Sequence, residues 1–507
     1  MYHPERYRWR LPYCLPIRSE AGLRVRREIG RLTGMRKAAL ALIICLSIHA
    51  GSIYAVCKSE ACKQATAWKN GYTAVVLDDN ISRADYFAVL DAVKANNGVI
   101  AIEAERVLLG WIPITRAGKI RGVRGVSAVL YEAVQRPDVF VHRGDALAAL
   151  SFFNRVRTGE FEDKIEAGLA VTGQPLTGDV AGENSVSHSG TQDQTDFIRR
   201  AGPGKSAKFP GSASPLSIPC CGFYPPWHNP QMRGRITVQL FTLDSNGPDA
   251  DGLTTTNLYT WSNTDYGTSR DQVFSAYTFW VNQAANHSPA ITLSFRVETE
   301  DPFNRNTRSF MPTPIHYEPI VHSISDDYKW MNDALAANGY GAASPITKDG
   351  VYYQNEAYND AKQNDPVYGP FDGSYTLYIV YNPSPAPDHF TNGLGAYVAY
   401  LGGPSATVPW NSLGWGPYNI GRNVVHETGH IFWACDEYYN SVNQSGCNTC
   451  KYCTYNLGPR NQVDTPWITN GNCVHSTDGS PCDTMTACMM KGEDYVLCSH
   501  TMEQVGW

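Results

Sequence analysis

Two histidines and a glutamate in the segment VVHETGHIFWACDEYY, residues 424–439, have a spacing that suits metal chemistry. His426 and His430 stand four positions apart. On a helix such positions share one face, so both imidazoles can reach one zinc ion at about 2.0 Å. Glu427 is the residue after His426 on this helix. Its carboxylate can act on a zinc-activated water as general base and then protonate the leaving amine. The pattern predicts a catalytic zinc site.

The same segment resembles the metzincin pattern HExxHxxGxxH, in the form that ends on aspartate, with Asp436 six residues after His430. HETGHIF followed by DEY is also similar to secreted bacterial zinc peptidases of the IgA-peptidase-like group. A catalytic zinc takes three protein ligands and keeps one position open. The resemblance implies that His426, His430 and Asp436 hold zinc and that Glu427 is catalytic.

Trp433 departs from this pattern, because metzincins have a glycine there that lets the helix turn sharply. A tryptophan does not adopt a left-handed turn cheaply. We therefore expect the helix to end differently, which leaves Glu437 as a rival to Asp436 for the third ligand. A distant glutamate, as in thermolysin-like proteins, is a further alternative.

Two other segments bear on the resemblance. Residues 482–507 offer Met485, Met489 and Met490 for the methionine turn beneath the zinc, and the order Cys, any residue, Met resembles adamalysin-like tails and favours Met490. Ordinary core packing is the alternative for each methionine. Residues 392–404 stand where metzincins have the edge strand that binds an extended peptide, with a glycine-rich loop as the alternative.

A loop of oxygen donors provides a weaker signal for a second ion. The segment DSNGPDADG, residues 244–252, contains Asp244, Asn246, Asp249 and Asp251. Such donors suit calcium, although the spacing does not fit the EF-hand and a solvated acidic turn is the alternative. Zinc is the predicted cofactor, and calcium is the second candidate.

The composition is that of a folded protein with no charge excess. Of 507 residues, 43% are hydrophobic, and the formal net charge is −6, which excludes nucleic acid as the main predicted partner. Eight of the 14 cysteines fall in the last 73 residues and predict a disulfide framework, with a metal or iron–sulfur cluster at Cys447, Cys450 and Cys453 as the alternative. These eight are Cys435, Cys447, Cys450, Cys453, Cys473, Cys482, Cys488 and Cys498.

The N-terminal region predicts export. Residues 35–55 have a basic start, a short apolar stretch and small residues for cleavage, as in a signal peptide. The apolar stretch is too short to span a bilayer, so no stable membrane span is expected after its removal. Residues 1–34 are interpreted as a non-native upstream extension. The alternative is a cytoplasmic tail before a membrane-retained segment.

The remaining chain predicts an α+β protein in three parts. Residues 66–157 follow the pattern strand, helix, strand and a closing helix, and this small α+β domain resembles a prosegment, ferredoxin-like as one option. A permanent accessory module is the alternative. Residues 158–232 have the composition of a flexible linker. Residues 233–507 alternate strands and helices, which predicts a mixed, twisted sheet and an active-site helix in a zincin or metzincin-like domain.

These predictions combine into a secreted zinc-dependent endopeptidase that acts on protein or peptide substrates. The alternative is an extracellular zinc-binding adhesion or surface module without proteolytic activity. A structural zinc site normally has four protein ligands, so an intact Glu427 beside three candidate ligands favours the enzyme.

Overall fold

The structure is a computed structural model, and the residues that it describes lie in one compact unit, Ala65–Trp507. They are residues 71–141, 144–158, 160, 229, 231–245, 248–253, 259–300, 312–341, 343, 345–383, 386–393, 395–400, 402–412, 420–434, 437, 488–491 and 496–507. The predicted extension at 1–34 and signal peptide at 35–55 lie outside this set, as does most of the predicted linker.

The N-terminal elements follow the order strand, helix, two strands, helix, strand, helix. They are β1 (Tyr72–Leu77), α1 (Arg83–Ala95), β2 (Val99–Ala104), β3 (Val107–Trp111), α2 (Ala117–Arg121), β4 (Val126–Leu130) and α3 (Gly144–Thr158). Ser82 caps α1, because its side chain accepts a hydrogen bond from the Asp85 amide. The strand predicted after this helix is a hairpin instead, since Glu105 takes a left-handed φ of 45° and reverses the chain.

The later elements alternate strands with helices, as the sequence predicts. They are β5 (Gly234–Ser245), α4 (Asn263–Asn286), β6 (Leu293–Thr299), β7 (Thr313–Ile315), α5 (Asp327–Ala337), α6 (Lys348–Gln363), β8 (Gly373–Val380), β9 (Tyr397–Tyr400), β10 (Gly403–Pro409), α7 (Ile420–Ile431) and α8 (Ser499–Gln504). The fold class is α+β.

All ten described strands join one mixed sheet in the order β4-β1-β3-β2-β6-β5-β8-β10-β9, with β7 beside β5. The first four strands pair antiparallel, β6, β5, β8 and β10 run parallel, and β9 pairs antiparallel with β10. The two parts meet where Ile102 of β2 pairs with Phe295 of β6. Beside this junction Arg235 Nη2 lies 2.7 Å from the buried Glu103 carboxylate. The boundaries predicted at residues 157 and 232 stay a prediction.

Helices cover both faces of the sheet. Val238 and Leu240 of β5 belong to the core cluster that includes α3, α4 and α7, whereas Phe241 and Leu243 belong to the cluster that includes α5 and α6. This alternation is the period-two pattern of a sheet buried on both sides. In the part of the chain that the structure describes, every helix is too short or too polar to cross a membrane.

Candidate metal centre

Helix α7 carries HETGH and is fixed by buried hydrogen bonds from its neighbours. Trp280 of α4 donates its indole N–H to the Val425 carbonyl oxygen at 3.1 Å. The hydroxyls of Tyr375 on β8 and Thr428 on α7 lie 2.9 Å apart. Because these partners belong to the sheet and to the longest described helix, α7 has a fixed place between them.

The two predicted histidine ligands face one another on α7. The Nε2 atoms of His426 and His430 lie 3.1 Å apart. His430 is 7% exposed, and His426 is partly exposed. The i, i+4 prediction for these side chains therefore agrees with their placement on one helix face.

The other ring nitrogen of each histidine faces a backbone carbonyl. His426 Nδ1 lies 3.2 Å from the Met489 oxygen, and His430 Nδ1 lies 2.6 Å from the Ala434 oxygen. A carbonyl oxygen only accepts, so each Nδ1 must carry the hydrogen and each neutral ring keeps its lone pair on Nε2. In metal sites, a hydrogen bond from the non-ligating ring nitrogen to a carbonyl oxygen orients a histidine ligand in the same way.

Two neutral rings that turn their Nε2 lone pairs toward one another can bind one cation together. Nitrogen ligands at about 2.0–2.1 Å from one tetrahedral zinc ion lie about 3.3 Å from each other. The observed 3.1 Å separation is close to that value. The histidine pair therefore fits two of the ligands of a zinc ion.

Glu427 and the two rival third ligands have different positions. Glu427 is 4% exposed on α7, and Asp436 lies outside the described residues. The Glu437 carboxylate is fully buried, where it accepts hydrogen bonds from Thr501 Oγ1 at 2.8 Å and Cys498 Sγ at 2.9 Å. Within the described chain, Glu437 groups with Cys488 and Cys498 as possible ligand atoms, all within 4.8 Å of one another.

Only Cys488 and Cys498 of the eight C-terminal cysteines are described, and both are buried free thiols. The amide of Cys498 donates to Cys488 Sγ at 3.3 Å, so the two residues are neighbours. The other six lie outside the described residues, and the disulfide framework stays a prediction.

Met490, the predicted methionine-turn residue, lies against α7 at Gly429. It sits in a short 3₁₀ turn, Met489–Lys491. A Cβ atom on Gly429 would lie 2.8 Å from Met490 Sδ, closer than side chains approach. The glycine of HETGH thus makes room for this sulfur, a role that the sequence reasoning missed. Met485 lies outside the described residues.

The end of α7 differs from the sequence prediction at Trp433. This residue takes the left-handed φ of 75° that we expected a tryptophan to avoid. The Trp433 amide donates to the His430 carbonyl at 3.0 Å and the Ala434 amide to the Gly429 carbonyl at 2.9 Å. These two bonds form a Schellman motif, in which glycine is the usual left-handed residue. A bulky residue in this conformation costs about 1–3 kcal/mol, which its surroundings must offset.

The surroundings of the Trp433 indole supply that stabilisation. The side chain is 1% exposed, and its Nε1 donates to the Asn229 carbonyl oxygen at 2.8 Å. The ring fills the space beside Gly402, where a Cβ atom would lie 2.3 Å from Trp433 Cζ2. Sequence reasoning missed Asn229 and Gly402, because both are far from the HETGH segment in the chain.

The predicted calcium loop is held together by its own hydrogen bonds. Asp249 Oδ1 accepts a hydrogen bond from the Asp251 amide at 2.8 Å. Asp249 Oδ2 accepts one from the Glu318 amide at 2.9 Å and lies 2.7 Å from His322 Nε2. Asp249, Asp251 and His322 could together offer three metal ligands. These hydrogen bonds already satisfy Asp249, so they explain the conformation of the loop without a bound ion. Calcium binding stays a prediction.

We expect the free energy of unfolding to fall as the pH rises, because two carboxyl groups at this loop lose their protons. Burial raises the pKa of Asp244 to about 7 and that of Glu318 to about 7. A carboxyl with a raised folded pKa binds its proton more tightly when folded, so stability is lost between about pH 4 and 7. Asp244→Asn should reduce this slope in thermal unfolding measured at several pH values. The exposed Asp91→Asn is the control, and equal slopes for Asp244→Asn and the wild type would contradict the prediction.

Comparison of the chain with protein-family models and with curated proteins finds no match.

Proposed function

We propose that the protein is an exported zinc-dependent endopeptidase. The observation that carries the proposal is the histidine pair, with both Nδ1 atoms on backbone carbonyls and the two Nε2 atoms 3.1 Å apart. Both rings are thereby set in the tautomer that a metal ligand needs. His426, His430 and Asp436 would hold the ion, in a metzincin-like site.

Glu427 would carry the proton in the reaction. When bound, zinc supplies positive charge that acidifies water and polarises the peptide carbonyl. Glu427 removes a proton from the attacking water and then delivers it to the nitrogen of the leaving amine. Glu427 directly follows His426 in the chain, and it is buried on α7.

The end of the sheet supports a peptide as substrate. β9 pairs antiparallel with β10 and is the last strand of the sheet among the described residues. Its free backbone edge could pair with an extended peptide. The turn that leads into β10 also reaches the metal centre, because the Gly402 amide donates to the His430 carbonyl at 2.9 Å.

The N-terminal strands support a prosegment-like role for residues 66–157. β1 to β4 form an antiparallel array in the order β4-β1-β3-β2, with helices after β1 and β3. This order is that of the ferredoxin-like arrangement. We propose that this region assists folding of the region that contains the metal centre, to which it is joined by the β2–β6 pairing.

Zinc content of the full chain and its third-ligand variants tests the proposal. We expect one zinc per chain by elemental analysis, together with cleavage of casein or gelatin. Asp436→Ala should lose most of the zinc, whereas Glu437→Gln should retain it, because Glu437 contacts Thr501 and Cys498.

Three results would change this view. Wild-type protein without zinc would refute the proposal. Loss of zinc in Glu437→Gln but not in Asp436→Ala would exchange the third ligand. Zinc binding without cleavage of any protein would favour an extracellular zinc-binding module.

A further inference from the structure

We propose that Trp433 is a positioning residue that aims the imidazole of His430 at the metal, an inference that rests on the proposed zinc site. The His430 ring is oriented by its 2.6 Å contact with the Ala434 oxygen. Ala434 follows Trp433 directly in the chain. The left-handed backbone at Trp433 therefore decides where this oxygen lies.

The left-handed turn depends on the indole being held. Trp433 has a φ of 75°, a conformation that glycine adopts readily and tryptophan does not. Its ring is clamped by the Nε1 hydrogen bond to Asn229 at 2.8 Å and by close contact with Gly402. Without these contacts the backbone would relax toward negative φ, and the carbonyl of Ala434 would move away from His430.

The acceptor of the indole hydrogen bond is itself rigid. The Asn229 side chain accepts from the Ser374 amide at 2.9 Å and donates to the Ser374 carbonyl at 2.8 Å. Ser374 belongs to β8 in the middle of the sheet. A connected set of contacts thus runs from the sheet through Asn229 and Trp433 to the ring of His430.

The backbone of His430 is tied to the same place. Its carbonyl oxygen accepts from the Trp433 amide at 3.0 Å and from the Gly402 amide at 2.9 Å. Because the indole packs on Gly402, the position of this one side chain affects both the ring and the backbone carbonyl of His430. We infer that Trp433 fixes the direction of His430 Nε2 and thereby raises the affinity for zinc.

The test compares the zinc affinity of two tryptophan variants by chelator competition on the full chain. Trp433→Phe removes the Nε1 donor and part of the ring, and we expect the zinc dissociation constant to rise about tenfold or more. Trp330→Phe is the matched control, because Trp330 is also 1% exposed but lies in the core cluster on the other face of the sheet. We expect it to lower thermal stability while zinc affinity stays within about twofold.

A second variant covers the case in which Trp433→Phe does not fold. Trp433→Tyr fills more of the volume of the indole than phenylalanine does but lacks the Nε1 donor, and we expect it to weaken zinc binding as well. Wild-type affinity in either folded variant would overturn the inference, since the backbone alone would then position His430. Absence of zinc from the wild type would instead refute the proposed function.

Discussion

Glu427→Gln should bind zinc as the wild type does and lose about 100- to 10,000-fold in kcat for peptide cleavage. The amide has nearly the shape of the carboxylate, and Glu427 is 4% exposed, so the change alters proton affinity and leaves packing in place. An amide cannot take a proton from water at neutral pH. The measurements are zinc content and the rate of cleavage of a quenched-fluorescence peptide library.

The matched control for Glu427→Gln is Glu132→Gln, because Glu132 is an exposed glutamate just after β4. It makes the same chemical change away from α7, and its kcat should equal that of the wild type. Full activity in Glu427→Gln would show that this residue is not the general base. Loss of zinc in Glu427→Gln would mean that the carboxylate acts as a ligand or holds the ligands in place.

Gly402→Ala should lower the free energy of unfolding by about 2–4 kcal/mol, from overpacking together with a strained backbone. Gly402 has a φ of 96°, and an added Cβ would lie 2.3 Å from Trp433 Cζ2 and 2.6 Å from Cε2. The indole cannot move aside easily, because Asn229 and the α7 backbone hold it. Chemical denaturation of the zinc-free protein measures the loss.

Gly393→Ala is the control that separates overpacking from backbone strain as causes of the stability loss in Gly402→Ala. Gly393 has a similar φ of 81°, but an added Cβ there would meet no atom within 4 Å. It should cost about 1 kcal/mol, from backbone strain alone. Equal losses at the two glycines would mean that the indole does move aside, and that the contact between Trp433 and Gly402 contributes little.

Local patterns predicted much of the fold because their causes are local. The cap of α1 at Ser82 joins a side chain to an amide three residues away, and α4 is one of the helices that alternate with strands as predicted after residue 233. The hairpin between β2 and β3 was missed because Glu105 is not a residue type that signals a left-handed turn.

The candidate site divides in the same way. His426 and His430 lie on one helix face because they are four residues apart, so their proximity could be predicted from five residues of sequence. The conformation of Trp433 could not, because its stabilising partners lie 204 residues away at Asn229 and in the turn between β9 and β10 at Gly402. Local propensity was overridden there by tertiary contacts.

The pairing of β2 with β6 has a consequence for any proteolytic removal of the N-terminal region. A cut between residues 158 and 229 breaks the chain but leaves the backbone ladder and the ion pair of Arg235 with Glu103 intact. If the severed fragment then dissociated, β6 would be left with a row of unsatisfied amides and carbonyls, a template for self-association. Cleavage of the chain and release of the N-terminal region are therefore separate events. Release exposes the edge of β6, which favours aggregation.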